Sequence, residues 1–218
     1  MGRARVTPDE FAVADGVDDW RFVLGSIHAE FEVRPFAAAA ALVASIGQAA
    51  DALDHHPEVA LRYPGRVRVT LSSHDVGGIT EWDVQMARTI SALASDAGAV
   101  SRPEVAQAVE IAIDTLDADR IRPFWAAVLG YVTTESGSLA DPAKLGPPLW
   151  FQQLDAHRGE RQRFHLDVSV PHDVATARVA AAIAAGGRLV SDQFARSWWI
   201  LADADGNEAC VCTWQDRG

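Results

Sequence analysis

Residues 51–83, DALDHHPEVALRYPGRVRVTLSSHDVGGITEWD, constrain the fold of this 218-residue chain more than any other stretch. Three of its seven histidines fall there: the adjacent pair His55 and His56, and then His74. Pro57 disfavours helical backbone at the residue before it, so a helix running into the histidine pair must stop there. Residues 66–72 alternate apolar and polar, with Val67, Val69 and Leu71 on one face, as a half-buried strand does. Pro64-Gly65 supplies the turn before that strand, and Gly77-Gly78 lets the chain double back after it. Thr80-x-x-Asp83 has the form of a helix N-cap with a carboxylate in the first turn. A helix end, a strand end and a helix start can therefore meet at one rim, each carrying a histidine or a carboxylate.

Histidine is the side chain whose unperturbed pKa lies closest to neutrality, so such a rim suits general acid–base chemistry. A capping role explains His-His-Pro by itself, because cationic side chains suit a helix C-terminus. It does not explain the added His74-Asp75-x-Gly-Gly-x-Thr. A metal shared by the pair is disfavoured, since adjacent histidines point in different directions.

Composition narrows the partners. A formal net charge of −11 excludes a broad nucleic-acid surface, which needs clustered Lys and Arg. Half the residues are hydrophobic, enough for sizeable cores. Cys210 and Cys212 share one face of a strand in poor position to bond to each other, and read as reduced thiols. With no charged-then-apolar leader and no 18-residue apolar run in view, the expectation is a soluble cytoplasmic protein without membrane partners.

Four segments are expected: a stretch at 1–17 that is irregular apart from a helical turn at Thr7-Pro8-Asp9-Glu10, a first domain at 18–98, a linker at 99–106 and a second domain at 107–218. In the first domain a hairpin at 20–33, interrupted at Gly25-Ser26, precedes an Ala-rich helix from Pro35 to about Leu53. The 66–72 strand and a helix from 80 to about 98 complete it. The second domain repeats a strand–helix–strands cycle. Its first pass comprises a strand at 109–113, a helix at 119–129, a Gly/Pro/Ser-rich loop and a strand at 149–154. Its second comprises a strand at 164–170, a helix at 174–185 and strands near 198–202 and 209–213, which together imply a duplicated unit. The expected class is α+β: an N-terminal antiparallel sheet with helices on one face, then paired βαβββ modules.

The 51–83 stretch resembles the signature of the pterin-4a-carbinolamine dehydratase family, matching at Asp51, His55, His56, Pro57, Glu58, Tyr63, Val67, Val69, Leu71, Ser73, His74, Asp75, Gly77, Gly78, Thr80 and Asp83. The resemblance covers about residues 18–97. It departs at Val59, where the family commonly has Trp, and at a Pro64-Gly65 turn one residue longer than usual. What it implies is dehydration of a 4a-hydroxytetrahydropterin to the quinonoid dihydropterin without metal or organic cofactor. His55, His56, His74 and Asp83 are then catalytic, and Asp51, Pro57, Glu58, Ser73 and Asp75 contact the pterin. It leaves open which histidine is the acid, and it also implies a homo-oligomer and interaction roles outside catalysis.

Residues 107–214 resemble the glyoxalase/bleomycin-resistance/dioxygenase superfamily, the vicinal oxygen chelate proteins. Three pieces carry this: Asp117-x-x-Arg120-x-x-x-Phe124-Trp125-x-x-Val128-Leu129-Gly130, Phe164-His165-Leu166-Asp167-Val168, and Leu201-Ala202-Asp203-x-Asp205-Gly206-Asn207-Glu208. Metal-binding members place ligands at positions corresponding to Glu110, Gln152, His165 and Cys210. Gln152 is a poor ligand and Cys210 replaces the usual Glu, so no metal centre is expected; Glu110, His165, Glu208 and Cys210 are the remaining candidates. The favoured role is an accessory cup for an unidentified small molecule, with Trp125, Trp150, Trp198 and Trp199 divided between its walls and the core. Two other readings stand beside the enzyme: a non-catalytic pterin-binding or dimerising regulator, and a metal-dependent lyase or dioxygenase in the second domain.

Overall fold

The alternation at 66–72 becomes burial: Val67 and Val69 are fully buried and Leu71 is 1% exposed, all on one face of a central strand. The structure, a computed structural model, describes residues 4–129, 131–155, 164–184, 186–202 and 208–217, the side chains of His74, Phe124, 127–129 and Phe164 excepted. It forms two units, Met1–Ala106 and Gln107–Gly218.

The first unit runs β1 (Arg5–Val6), α1 (Pro8–Ala12), β2 (Arg21–Val23), β3 (Ser26–Glu32), α2 (Phe36–Leu53), β4 (Glu58–Arg62), β5 (Arg66–Leu71), β6 (Ile79–Thr80), α3 (Glu81–Asp96) and β7 (Val100–Ser101). Its main sheet is antiparallel in the order β2-β3-β5-β4, with β7 also paired to β3. Ile27, Ala29 and Phe31 of β3 join the β5 residues in the core. The row Ala39, Leu42, Ile46 and Ala50 supplies the buried side of α2, at the three- and four-residue spacing of a helix face. By length and hydropathy α2 is also apolar enough to cross a membrane, contrary to the sequence expectation that no such run exists. Its contacts are with α3, β4 and β5.

Three segments differ from their sequence reading. Residues 1–17 were expected to be irregular apart from a helical turn at Thr7-Pro8-Asp9-Glu10; that turn is α1, with a reciprocal capping box between Thr7 and Glu10 and Phe11 buried, and the departure is β1, which pairs with β6. The proposed linker contains β7 and lies with the first unit. Glu58–Arg62 forms β4, a hairpin partner of β5, which its weak alternation concealed. The turn between them needs glycine, because a Cβ on Gly65 would sit 2.0 Å from the carbonyl oxygen of Val33.

One histidine of the first unit lies away from the rim. His28, on β3, has Nδ1 3.1 Å from Thr70 Oγ1 on β5 and Nε2 3.2 Å from the Val23 carbonyl at the end of β2. Burial pushes its pKa down to about 4, so near neutral pH it is an uncharged tie among three strands.

The second unit runs β8 (Ala108–Thr115), α4 (Ala118–Leu129), β9 (Val132–Thr133), β10 (Leu139–Ala140), β11 (Leu149–Gln153), β12 (Phe164–Ser169), α5 (Ala175–Ala184), β13 (Arg188–Ser191), β14 (Trp198–Ala202) and β15 (Glu208–Cys212). Its eight strands lie in the order β13-β14-β15-β12-β8-β11-β10-β9. At the centre β8 and β12 pair antiparallel, from Phe164 opposite Ile113 to Ser169 opposite Ala108. Outward from them β8 pairs parallel with β11, and β12 with β15. Each half is thus one βαβββ module, the duplicated α+β arrangement read from the sequence. Val170, Val179, Leu201 and Val211 form one apolar cluster, and Ile113, Leu139 and Leu149 another. Of the Phe124–Gly130 motif, Phe124–Leu129 falls on α4, where most of its side chains lie outside the described residues, and Gly130 and residues 203–207 also lie outside them.

Candidate active site

The helix that leads to the histidine pair stops where its Ala-rich run was read to stop, ahead of Pro57. α2 ends at Leu53, Asp54 caps it in the left-handed conformation at φ 48°, and the His55 N–H returns to the Ala50 carbonyl at 3.1 Å. This reversal sends His55 toward the start of α3. There His55 Nε2 lies 2.9 Å from Oδ1 of Asp83, whose side chain is fully buried while that of His55 is 17% exposed.

The other carboxylate oxygen, Asp83 Oδ2, accepts three donors: Ser73 Oγ at 2.7 Å, the Thr80 N–H at 2.7 Å and Thr80 Oγ1 at 3.0 Å. A buried carboxylate is tolerable only when its oxygens are filled in this way. With Oδ2 so occupied and Oδ1 against the ring, His55 Nε2 carries the hydrogen, which leaves Nδ1 as the nitrogen that can gain or lose a proton. Thr80 and Asp83 also form the reciprocal capping box of α3. One carboxylate therefore starts a helix and aligns an imidazole.

His56 repeats the arrangement at the surface, with Nε2 3.0 Å from Asp51 Oδ1 on the last turn of α2, at side-chain exposures of 60% and 81%. His74 and Asp75 lie in the single 3-10 turn His74–Val76 that follows β5; the His74 imidazole lies outside the described side chains. That turn is closed by Ser73 and Gly78, whose backbones bond in both directions, with Gly77 at φ 60° between them. Pro57 is half-buried beyond the histidines, and Glu58 opens β4, exposed. The structure thus joins His55, Ser73 and Asp83 directly and His56 with Asp51. Thr80, 1% exposed and doubly bonded to Asp83, belongs with them. The capping-box spacing was the signal for it, although that spacing speaks first of helix geometry.

In the second unit one face of the sheet forms a cup of about 420 Å³. Trp150, Phe194 and Trp198 wall it, the latter two stacked at 4.6 Å. Gln152, His165, Asp167, Glu208 and Cys210 line the remainder. Glu110 lies opposite Asp167 across the β8–β12 ladder, and its pKa is raised by burial and then by that neighbouring charge. His165 is shifted upward by its hydrogen bond to Asp167. The Cys210 thiol is pushed far up by its hydrogen bond with Cys212 and by burial. Sequence reasoning missed Asp167 as a member of this cup, though its position two residues after His165 on one strand places both on the same face.

Comparisons with known proteins agree with this division. The family model "Pterin 4 alpha carbinolamine dehydratase" matches residues 5–93, and "Glyoxalase-like domain" matches residues 110–212. A Brucella ovis protein provisionally named pterin-4-alpha-carbinolamine dehydratase is 39% identical over 97 residues, covering 43% of this chain and 99% of its own. One from Metallosphaera sedula with the same provisional name is 36% identical over 78 residues, covering 36% and 80%. A solved Brucella melitensis structure, described as a transcriptional coactivator/pterin dehydratase, has 37% identity and a TM-score of 0.40, covering 42% of this chain and 99% of its own. The chain belongs, through its first unit, to the pterin-4a-carbinolamine dehydratase family, and that unit is fused to a glyoxalase-like domain.

Proposed function

We propose that the first unit dehydrates a 4a-hydroxytetrahydropterin to the quinonoid dihydropterin. The observation that carries this reading is the His55–Asp83 pair, an imidazole at the rim held by a buried carboxylate at 2.9 Å. The elimination needs one proton delivered and one removed. The C4a–O bond breaks with its electron pair on oxygen, and an imidazolium gives that oxygen a proton, so water leaves. N5 loses its proton to a neutral imidazole, and the former N–H electron pair closes the C4a=N5 double bond. One histidine ends neutral and another charged, and exchange with solvent restores them. The step is redox-neutral.

His55, His56 and His74 are the donors and acceptors in this reading. Asp83 and Asp51 hold the ring nitrogens that do not react, and Pro57, Glu58, Ser73 and Asp75 lie on the pterin side. Family membership and the dehydratase names of the relatives support it. The second unit is an accessory small-molecule binder, and the protein acts in the cytoplasm as a homo-oligomer without nucleic acid or membrane partners.

The test follows the ultraviolet absorbance of freshly generated 4a-hydroxytetrahydropterin with wild-type protein, His55→Ala and His56→Ala. Wild type accelerates the decay, and each variant loses about 100-fold or more, the usual contribution of a general acid or base. No acceleration by the wild type overturns the assignment.

A further inference from the structure

The second unit's cup carries a flat cation of its own at its border. Arg217 sets its guanidinium over the Trp198 ring, 5.9 Å from the ring centre. Phe194 stacks on the same indole at 4.6 Å and 23°, and Trp150 forms a further aromatic wall. Three carboxylates reach this space from three strands: Asp114 on β8, Asp167 on β12 and Glu208 on β15. Strand register brings them together. Asp114 lies opposite Gln152, Asp167 beside Cys210 and Trp198 beside Cys212, all on one side of the sheet.

The field in this space is negative. The hydrogen bond to Asp167 raises the pKa of His165, and the charges of Asp114 and Glu208 add to the rise. Rings on the walls and carboxylates between them select a flat ligand that carries N–H donors along one edge. A simple ammonium ion meets only the charge, and a hydrocarbon meets only the rings. The cup's volume of about 420 Å³ falls in the usual range for small-molecule sites, about 300–1,000 Å³, so it admits a bicyclic ring system and not merely a guanidinium.

A pterin has this form. Its 2-amino group and N3–H project side by side from the pyrimidinone ring, like two arms of a guanidinium, and pair with a carboxylate as an arginine fork does. Its fused rings offer a face to an indole. We propose that the cup of the second unit is a second pterin site, in which the heterocycle replaces Arg217 on Trp198 and turns its amino-pyrimidinone edge to the carboxylates. The choice of a pterin rests on the dehydratase reading of the first unit, since guanine presents the same edge. No bond of the ligand is made or broken there; the site holds the molecule.

Equilibrium dialysis of the full-length protein against fully oxidised pterin, which has no C4a hydroxyl to lose, tests this, with guanosine in parallel. Trp198→Ala, checked for a native melting transition, weakens pterin binding by about 5- to 150-fold, the range alanine gives for a ring stacked on a heterocyclic base. Arg217→Ala acts in the opposite sense and tightens binding by about two- to fivefold, because the ligand no longer displaces a cation from the ring. A folding defect does not tighten binding, so the second variant stands even where the first is damaged. Both residues lie outside Met1–Ala106, so these changes report the second unit. Dehydration by the same wild-type preparation reads the first unit separately: a failed dehydratase reading shows as no rate, and a failed second site as binding indifferent to Trp198 and Arg217. Such indifference, weaker binding in Arg217→Ala, or guanosine bound more tightly than pterin overturns the assignment.

Discussion

Asp83 does two jobs that a single substitution should separate. Asp83→Asn keeps the shape but puts N–H groups where Oδ1 or Oδ2 must accept, leaving His55 Nε2 or the Ser73 and Thr80 donors unsatisfied. The expected outcome is a loss of about 2 kcal/mol in urea unfolding together with roughly 100-fold in dehydration rate. Combining it with His55→Ala should add little further rate loss, because both act through one imidazole. Full additivity would show that the pair does not work as a unit. At this scale the sequence was highly legible, since the signature quoted His55, His56 and Asp83 by type and spacing. What it hid was the direction of each bond: that Nε2 of both histidines is the nitrogen held by a carboxylate follows from how the chain reverses after Asp54.

Among the elements, β2, β3 and β5 are joined by His28, a residue without a motif. Because its folded pKa is lowered to about 4 from an ordinary value of 6.5, the unfolded chain binds a proton between these values that the folded one refuses. Stability from this group is complete above about pH 6.5 and falls as pH drops toward 4, by up to about 3 kcal/mol. Urea midpoints measured from pH 4 to 7 should show that slope, and His28→Gln should flatten it. An unchanged slope would place the acid sensitivity elsewhere. Strands with clean alternation, such as β5, were readable in advance. β4 was not, since Val59, Ala60 and Leu61 are three consecutive half-buried residues with no period of two. β7 and β1 are two residues each, too short to carry any period, and exist because a partner strand was there to receive them.

For the molecule as a whole, the duplicated βαβββ pattern was visible because each helix–strand cycle is closed by its own glycine and proline signals. The cup was less visible, because it is assembled from β8, β11, β12, β14 and β15 with Phe194 and Arg217, and its lining residues are separated by up to 103 positions between Asp114 and Arg217. The residues of the proposed dehydration site all lie in Met1–Ala106. A chain ending at Ala106 should therefore retain kcat/KM for dehydration within about threefold of the full protein, a difference under 1 kcal/mol. A larger loss would mean that the second unit contributes to the first unit's chemistry. The pairing of Arg5 with Thr80 and Val6 with Ile79 has a practical corollary. Arg5 and Val6 brace the very turn that presents Thr80 and Asp83, while Arg217 borders the cup. A fluorophore placed beside Arg5 or beside Arg217 is thus not a silent label: the first reports on the histidine rim, and the second on the aromatic-walled cup.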